Sequence, residues 1–238
     1  MGGATLRQAS VTIGGQTVPL TLRVNRRARR LILKVDAISG EVVAVAPSER
    51  LLRSAPGFAL RHAGWISEKL AQVPARVPFD PGTEIPLRGQ PTVIRHRPEA
   101  RRGVWLNAET GALCVSGGAK HVERRVADWL RREARIDLCA RVWLHAAAIG
   151  ERPSRITVRD TKSRWGSCSQ EGALSFSWRL ILAPPGVLDY VAAHETAHLK
   201  YMNHGPRFQA LLRRLAPDTE RHEGWLREQG PDLHRYGP

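Results

Sequence analysis

The 238-residue chain lacks the features that tie a protein to a membrane or to a disulfide-bonded scaffold. No apolar run approaches the roughly 20 residues of a membrane helix, and the N-terminus has no apolar stretch of the kind found in secretory signals. The three cysteines, Cys114, Cys139 and Cys168, are far apart and form no Cys-x-x-Cys pair. Neither a disulfide framework nor a thiolate zinc site is therefore predicted. The expected location is the reducing cytoplasm, with no membrane partner.

Lysine is also scarce, and the strong positive charge of the chain comes from arginine. Five of the 37 basic residues are lysines, and 22 acidic residues leave a net charge of +15. Residues 1–100 carry 15 basic and 7 acidic groups, whereas residues 151–238 carry 13 and 10. A basic first half predicts an anionic partner, for which nucleic acid is one candidate. An arginine-rich composition without a binding role is the alternative.

The first 100 residues show mainly the patterns of β-strands. Apolar and polar residues alternate through residues 10–46, and two more hairpin-like stretches cover residues 85–95 and 104–115. Between residues 46 and 85, the segment 56–73 has the spacing of an amphipathic helix. The residues that fit this spacing are Phe58, His62, Trp65, Ile66, Lys69 and Leu70. We therefore predict that residues 1–100 form a β-rich, basic N-terminal region with one helix.

The second part of the chain mixes long helical and short β patterns. A helical pattern covers about residues 119–149, and β-rich stretches follow at residues 155–158 and 173–181. A further helix is predicted over residues 187–201. These elements predict an α+β fold, in which residues 101–238 form a domain of a long helix, a small β-sheet and a histidine-bearing helix.

The most specific motif in the chain is His194-Glu195-Thr196-Ala197-His198. Residues four apart on a helix share one face, so two imidazoles there can bind one Zn²⁺ at about 2.0–2.1 Å each. Glu195 lies about 100° round the helix, displaced from the ligands but within reach of a water as general base. Chance produces such a motif roughly 0.02 times in a chain of this composition, which favours a metal site over two surface histidines.

A catalytic zinc takes three protein ligands and keeps one position open. His204 is the favoured third ligand, because the segment Asn203-His204-Gly205 breaks the helix and lets the chain turn back. One zinc per chain is expected. The alternative third ligands are Glu220, Glu223 and His222.

The expected chemistry is hydrolysis of a carbonyl compound. Zinc lowers the pKa of a bound water towards ~7, and Glu195 accepts the proton as the water attacks. The oxyanion that forms needs a second hydrogen-bond donor. The candidates, chosen by their proximity in sequence, are Arg164, Tyr201 and Arg207, and for each a surface or packing role is the alternative.

Serine and apolar residues alternate upstream of the histidine motif, in residues 163–169 and 174–178. This pattern predicts a half-buried strand, which at a sheet edge could pair with an extended polypeptide substrate. The alternative is a structural hairpin in which Trp165 and Trp178 fill the core.

Several segments together match the pattern of a known family. In chain order they are residues 27–31, Pro47, Trp65-Ile66 with Leu70, residues 164–168, 178–180 and 190–199, Asn203-His204 and Phe208. The pattern resembles the YgjP-like metallopeptidases, relatives of the SprT-like zinc metalloproteases. The resemblance implies an α+β zincin core, a single zinc held by His194, His198 and His204, and Glu195 as the catalytic residue. The histidine spacing also matches the metzincins, but Tyr201 stands where those have glycine, which favours the SprT-like relation.

Three functional hypotheses follow. The first is a zinc metallopeptidase that hydrolyses an extended polypeptide. The second is a zinc hydrolase that cleaves an amide or ester of a small molecule. The third is a nucleic-acid-binding protein, either with a structural zinc or as a DNA-associated protease, since some SprT-like proteins act on proteins attached to DNA.

Overall fold

The computed structural model describes residues 6–36 and 38–237. Its described residues contain both helices and small sheets, which confirms the α+β class. The chain divides into two compact units between residues 75 and 76.

The first unit contains a four-stranded sheet. Its strands are β1 (Leu6–Ile13), β2 (Gln16–Val24), β3 (Ile32–Val35) and β4 (Val42–Ala46). They lie in the order β1-β2-β4-β3, with β2 and β4 parallel and the other neighbours antiparallel. The predicted alternation is confirmed in part, because Val18 and Leu20 of β2 and Val42, Ala44 and Ala46 of β4 are buried in one cluster with residues of the helices of this unit.

Three short helices pack against this sheet: α1 (Glu49–Leu52), α2 (Ala55–Arg61) and α3 (Ala63–Ala71). The single helix predicted over residues 56–73 is thus divided at His62, whose φ of −108° and ψ of 22° lie outside the helical region. The division changes which residues face the core. Ile66 is fully buried, whereas Trp65 is 40% exposed.

The second unit begins with another four-stranded sheet, which confirms both predicted hairpins. Its strands are β5 (Glu84–Leu87), β6 (Gln90–His96), β7 (Val104–Leu106) and β8 (Leu113–Val115), in the order β5-β6-β8-β7. β6 and β8 are parallel partners. This pairing places residues 76–100 in the second unit, so the compact units divide upstream of the predicted boundary at residue 100.

The long predicted helix follows as α4 (Val122–Ile149), after one turn of 3-10 helix at Ala119–His121. It ends at Gly150, whose φ of 71° is the left-handed conformation that glycine adopts readily after a helix. One face of α4 is buried along its whole length, from Val122 to Ile149. Elements that follow α4 in the chain therefore pack against this buried face.

A three-stranded sheet carries the serine-rich segment. Its strands are β9 (Arg155–Arg159), β10 (Gly166–Cys168) and β11 (Ala173–Ser177), in the order β10-β11-β9. Both segments of the serine-rich pattern form strands, as predicted; β10 and β11 pair antiparallel, and β10 lies at the edge of the sheet. The predicted strand over residues 173–181 is too long, because Trp178–Leu182 forms a 3-10 helix whose first turn the Ser177 hydroxyl caps.

The remaining helices are α5 (Pro185–Ala197), α6 (Pro206–Leu215) and α7 (Thr219–Glu228), followed by a 3-10 helix at Gly230–Arg235. α5 is shorter than the predicted helix over residues 187–201. Beyond Ala197 the chain tightens into a turn, because the N–H groups of Leu199 and Lys200 donate to the carbonyl oxygens three residues back, on Thr196 and Ala197. None of the helices in the described ranges is long and apolar enough to cross a membrane.

Arg179, in the 3-10 helix after β11, forms hydrogen bonds with two segments that are distant in the chain. Its side chain is 4% exposed and donates to the Asp160 carboxylate and to the carbonyl oxygens of Leu233 and Tyr236. Its guanidinium carbon lies 4.6 Å from the ring centroid of Trp178, which is fully buried. Arg179 therefore joins the C-terminal segment to the loop that leads into β10.

An ion-pair network joins α4 to α5. The Asp189 carboxylate on α5 accepts hydrogen bonds from Arg141 at 2.6 and 2.7 Å and from His145 at 2.6 Å, both on α4. Burial alone would raise the pKa of Asp189, but the hydrogen bonds from His145 and Arg141 outweigh it and lower this pKa to about 2. The network therefore stabilises the ionised carboxylate and the α4–α5 contact together.

Replacing Asp189 by asparagine keeps the shape of the side chain but removes its charge. We expect Asp189→Asn to lower the free energy of unfolding at about pH 6 by on the order of 2 kcal/mol. Because folding lowers this pKa, the stabilisation is present above about pH 4 and is lost as the pH falls towards about 2. Urea denaturation at several pH values measures both effects.

The matched control is Asp128→Asn on α4, whose carboxylate is 54% exposed and pairs only with exposed arginines. Surface pairs of this kind contribute about 0–1 kcal/mol. A loss of stability in Asp189→Asn that does not shrink at low pH, or that equals the loss in Asp128→Asn, contradicts the proposed network.

Candidate metal centre

Three histidine side chains converge at the end of α5. His194 lies in the last turn of the helix, His198 is its C-cap residue, and His204 lies in the loop before α6. Their potential ligand atoms all lie within 4.8 Å of one another, and the Nε2 atoms of His194 and His204 are 3.2 Å apart. The structure therefore brings together the three histidines that the sequence singles out.

The alternative third ligands lie elsewhere. Within the described part of the chain, the group of potential ligands around His194 has only three members, all histidines. Glu220, His222 and Glu223 are on α7, and the His222 ring packs 6.4 Å from the ring of Tyr190. Among the candidates from the sequence, only His204 therefore completes the cluster.

Hydrogen bonding selects the metal-facing nitrogen of His198. Its Nδ1 lies 3.0 Å from the backbone carbonyl oxygen of Tyr201. Because a carbonyl only accepts, Nδ1 must carry the proton, which leaves the lone pair of Nε2 free. This is the usual arrangement for a metal-binding histidine, in which the second ring nitrogen is held by a protein acceptor.

The donor set fits a tetrahedral metal ion. Two nitrogens that are each about 2.0–2.1 Å from such an ion lie roughly 3.3 Å apart, close to the 3.2 Å between His194 and His204. Burial, and then the neighbouring histidines, lower the pKa of His194 to about 4, and burial also lowers the pKa of His198. Both imidazoles are therefore neutral at physiological pH, which is the form that binds a metal.

The Phe208 side chain packs against all three histidine rings. It is the third residue of α6 and is fully buried. Its ring centroid lies 5.1, 4.6 and 4.8 Å from those of His194, His198 and His204. A hydrophobic shell of this kind limits the movement of the imidazoles and lowers the local dielectric around a bound ion.

Glu195 lies beside the histidines and is 7% exposed. Burial raises its pKa to about 7, and the positive charge of Arg164 acts in the opposite direction. A carboxyl group whose pKa is near neutrality can both accept and return a proton at physiological pH.

The close approach of Glu195 to β10 requires a glycine at position 166. A Cβ atom there would lie 2.5 Å from Cγ and 2.6 Å from Oε1 of Glu195. Any larger residue would therefore displace the carboxylate. Gly166 is a site residue that the sequence patterns do not reveal, because the contact joins residues on separate elements.

The histidines and Glu195 open onto a cavity of about 500 Å³. Its other walls are Met202, from the loop after α5, and the segment that contains Ser163, Arg164 and β10. The edge strand of the three-stranded sheet thus borders the histidine cluster directly.

The three candidate oxyanion donors differ in their positions. Arg164 lines the cavity, and its charge acts on Glu195. Tyr201 packs its side chain partly into the core and contacts the site through its carbonyl oxygen. Arg207 is exposed and is not among the residues that line the cavity.

Cys168 also lines the cavity but does not resemble a thiolate ligand. Burial, and then the nearby Glu195, raise the pKa of its thiol to about 11. The thiol donates instead to the carbonyl oxygen of Ser169, at 3.3 Å.

The fold and the site together define an α+β protein with a candidate metal centre of three histidines beside a buried glutamate. The YgjP-like, metallopeptidase domain family matches residues 29–229, which is most of the chain. The protein therefore belongs to the YgjP-like metallopeptidase family, as the sequence pattern predicts. Neither the comparison with curated proteins nor that with solved structures found a match.

The Gly166 contact can be tested by adding a single methyl group. We expect Gly166→Ala to displace Glu195 and to lower peptide hydrolysis by about tenfold to a hundredfold, since small misplacements of catalytic groups have effects of this size. Metal binding should be unchanged, because the three atoms nearest to the new methyl group all belong to Glu195 and not to a histidine. Hydrolysis rates and metal content of the purified variant measure the two effects.

Gly224→Ala is the matched control, because a Cβ there meets nothing closer than 3.9 Å. Full activity of Gly166→Ala, or equal losses in the two variants, contradicts the assigned role of the glycine.

Proposed function

We propose that this protein is a zinc-dependent metallopeptidase in which His194, His198 and His204 hold the metal and Glu195 is the general base. The observation that carries the proposal is the convergence of three imidazole nitrogens within 4.8 Å, in a cavity that a buried glutamate also lines. Family membership supports a metal-dependent peptidase. We further propose that α4, the sheet of β9–β11 and α5 form a zincin-like core.

Zinc is the metal that this donor set favours. Imidazole nitrogens are common zinc ligands, and catalytic zinc sites use three protein ligands with one open position. When bound, the ion would act as a Lewis acid that polarises a carbonyl group and makes water more acidic. The three histidines would hold it, and the contacts with Phe208 would restrict the movement of their imidazole rings.

Glu195 performs the proton transfers in this proposal. Its carboxylate accepts a proton as water attacks the scissile carbonyl carbon, and then returns the proton to the departing amine nitrogen. Its position one residue after His194, held against Gly166, keeps it next to the metal site without making it a ligand.

Arg164 is the donor that we propose for the oxyanion or for a substrate carbonyl. It shares the cavity with Glu195 and the histidines, and a guanidinium group is always protonated. The loop that carries it is constrained, because the Thr161 hydroxyl donates to the Arg164 carbonyl at 2.8 Å and the neighbouring Asp160 accepts from Arg179 at 2.9 Å. Tyr201 contributes through its backbone, and Arg207 remains a weaker candidate.

The position of β10 favours a polypeptide substrate. β10 is an edge strand, so one side of its backbone is available to pair with an extended chain. The same strand borders the cavity through Gly166, Ser167 and Cys168. A polypeptide paired with β10 would therefore pass directly over Glu195.

A small-molecule amide or ester would use the cavity but not the strand edge. Hydrolysis of denatured protein and of small amides, compared side by side, separates the two substrate classes.

A purely structural zinc is the competing interpretation of the same histidines. Structural sites are closed by four protein ligands, whereas the cluster in the described residues has three and opens onto a cavity. Absorption spectra of the cobalt-substituted protein count the ligands. Four protein ligands without a bound water would contradict the peptidase proposal.

The proposed role of Glu195 predicts that its replacement removes hydrolysis but not metal binding. Glu195→Gln keeps the size of the side chain but removes the base, so we expect hydrolysis of a denatured protein to fall by about 100- to 10,000-fold. Metal content should stay the same, because the histidines are unchanged. Glu220→Gln, at an exposed position on α7, is the control and should keep both properties. Loss of metal from Glu220→Gln would instead support the carboxylate alternative for the third ligand.

The third ligand can be tested independently of catalysis. We expect His204→Ala to weaken zinc binding by more than roughly 100-fold, which exceeds the effect of removing a hydrogen-bond partner of a ligand. Competition with a chromogenic chelator measures the affinity. His222→Ala is the control, because His222 packs against Tyr190 outside the cluster. Stoichiometric, tight zinc binding by His204→Ala would show that this assignment is wrong.

A further inference from the structure

The first unit contains a surface groove that the peptidase proposal does not use. It has a volume of about 490 Å³ and is lined by residues 30–33, by Phe58, His62 and Trp65. We refer to it as the aromatic groove. One wall is β3, which lies at an edge of the sheet, and the opposite wall consists of α2, α3 and their junction.

The rings of the aromatic groove are accessible. Trp65 is 40% exposed, His62 is exposed and Phe58 is half-buried. The Phe58 and His62 rings are 4.5 Å apart in an edge-to-face arrangement, and the guanidinium carbon of Arg61 lies 5.7 Å from the Phe58 centroid. The break of the helix at His62 leaves these rings at the surface, while Ile66 supplies the core contact. Exposed rings beside an arginine suit planar, electron-rich ligands.

An arginine cluster lies just before β3 in the chain, and its last member, Arg30, lines the groove. Arg26, Arg27, Arg29 and Arg30 lie between β2 and β3, and all four are exposed. A turn at Asn25 shapes this segment, since the Arg27 N–H donates to the Asn25 side chain and the Ala28 N–H donates to the Asn25 carbonyl. None of the ion pairs formed among residues 6–36 and 38–237 includes these four arginines.

The charge of the unit reinforces the arginine cluster. Residues 1–75 contain 11 basic and 4 acidic side chains, which gives a net charge of +7. The four acidic groups have other contacts: Glu49 pairs with Arg7, Glu41 accepts from Thr21, Asp36 accepts from Ser39, and Glu68 accepts from Gln72. The unit therefore keeps a net charge of +7 after all four carboxylates are counted.

We propose that the aromatic groove and the arginine cluster bind single-stranded nucleic acid. Unpaired bases would stack on the rings of Trp65, His62 and Phe58, and the arginines would contact the phosphates, which is the combination that single-strand-binding proteins use. A duplex offers phosphates but no unpaired base faces. An extended polypeptide could pair with the edge of β3, but it would not require the four exposed arginines that precede β3, of which Arg30 lines the groove.

Fluorescence anisotropy of the full-length protein with labelled oligonucleotides tests the proposal. The probes are oligothymidylate and oligouridylate of about 16 nucleotides and a DNA duplex of the same length, in salt from about 50 to 200 mM. We expect the single strands to bind more tightly than the duplex, with an affinity that falls steeply as salt increases. The DNA and RNA probes distinguish the two sources of the strand.

Two groups of variants separate stacking from charge. Trp65→Ala should weaken binding by about tenfold with the salt dependence unchanged, and Trp65→Phe should restore most of the affinity. Arg29→Gln/Arg30→Gln should reduce the slope of log affinity against log salt by about 1.4, the value for two lost phosphate contacts on a single strand. Arg213→Gln/Arg214→Gln, an equal change of charge at exposed positions of α6, is the control and should bind like the wild type.

Several results would overturn the proposal. Absence of binding at the lowest salt is one, and equal losses in the two double arginine variants, which indicate non-specific attraction, are another. Equal affinity for the duplex, or binding of an unfolded polypeptide that is lost in Trp65→Ala while oligonucleotides do not bind, would also contradict it. If Trp65→Ala melts below the wild type, the salt slope of the arginine variants decides the question, because those side chains are exposed.

Discussion

The packing of α5 against α4 determines where His194, Glu195 and His198 lie. α5 is buried on most of its surface, with Ala192 and Ala193 at 0% exposure, and Asp189 ties it to Arg141 and His145 on α4. A helix held in this way can present His194, Glu195 and His198 only toward the cavity beside β10. The site therefore depends on a rigid helix for these three residues, whereas His204 and Arg164 come from loops.

Burial has opposite chemical effects on the groups of this site. It lowers the pKa of His194 and His198 and thereby keeps the imidazoles neutral, and it raises the pKa of Glu195 toward neutrality. One physical cause, the removal of water around the end of α5, thus prepares the proposed ligands for a cation and the glutamate for proton transfer. Phe208 and Gly166 contribute by excluding water and by letting the carboxylate approach the strand.

The two compact units have different surface chemistry. The second unit pairs several of its charges internally, as in the contacts of Arg88 with Asp137 and Glu133. The first unit leaves a run of arginines exposed, and the last of them, Arg30, lines the groove that contains the accessible rings. The proposed peptidase chemistry and the proposed nucleic-acid binding therefore rest on separate residues and on separate observations.

The features that could be predicted from the sequence are those that depend on neighbours in the chain: the four-residue spacing of His194 and His198, the turn that brings back His204, the long helix before Gly150, and the strands β10 and β11. These follow from helix and strand periodicity, which acts over a few residues. Three features could not be predicted in this way: the contact of Glu195 with Gly166, the hydrogen bonds of Arg179 to Asp160 and the C-terminal segment, and the surface groove lined by Phe58 and Trp65. Each of these contacts joins residues far apart in the chain or depends on a helix break, and no local pattern encodes which distant surfaces will meet.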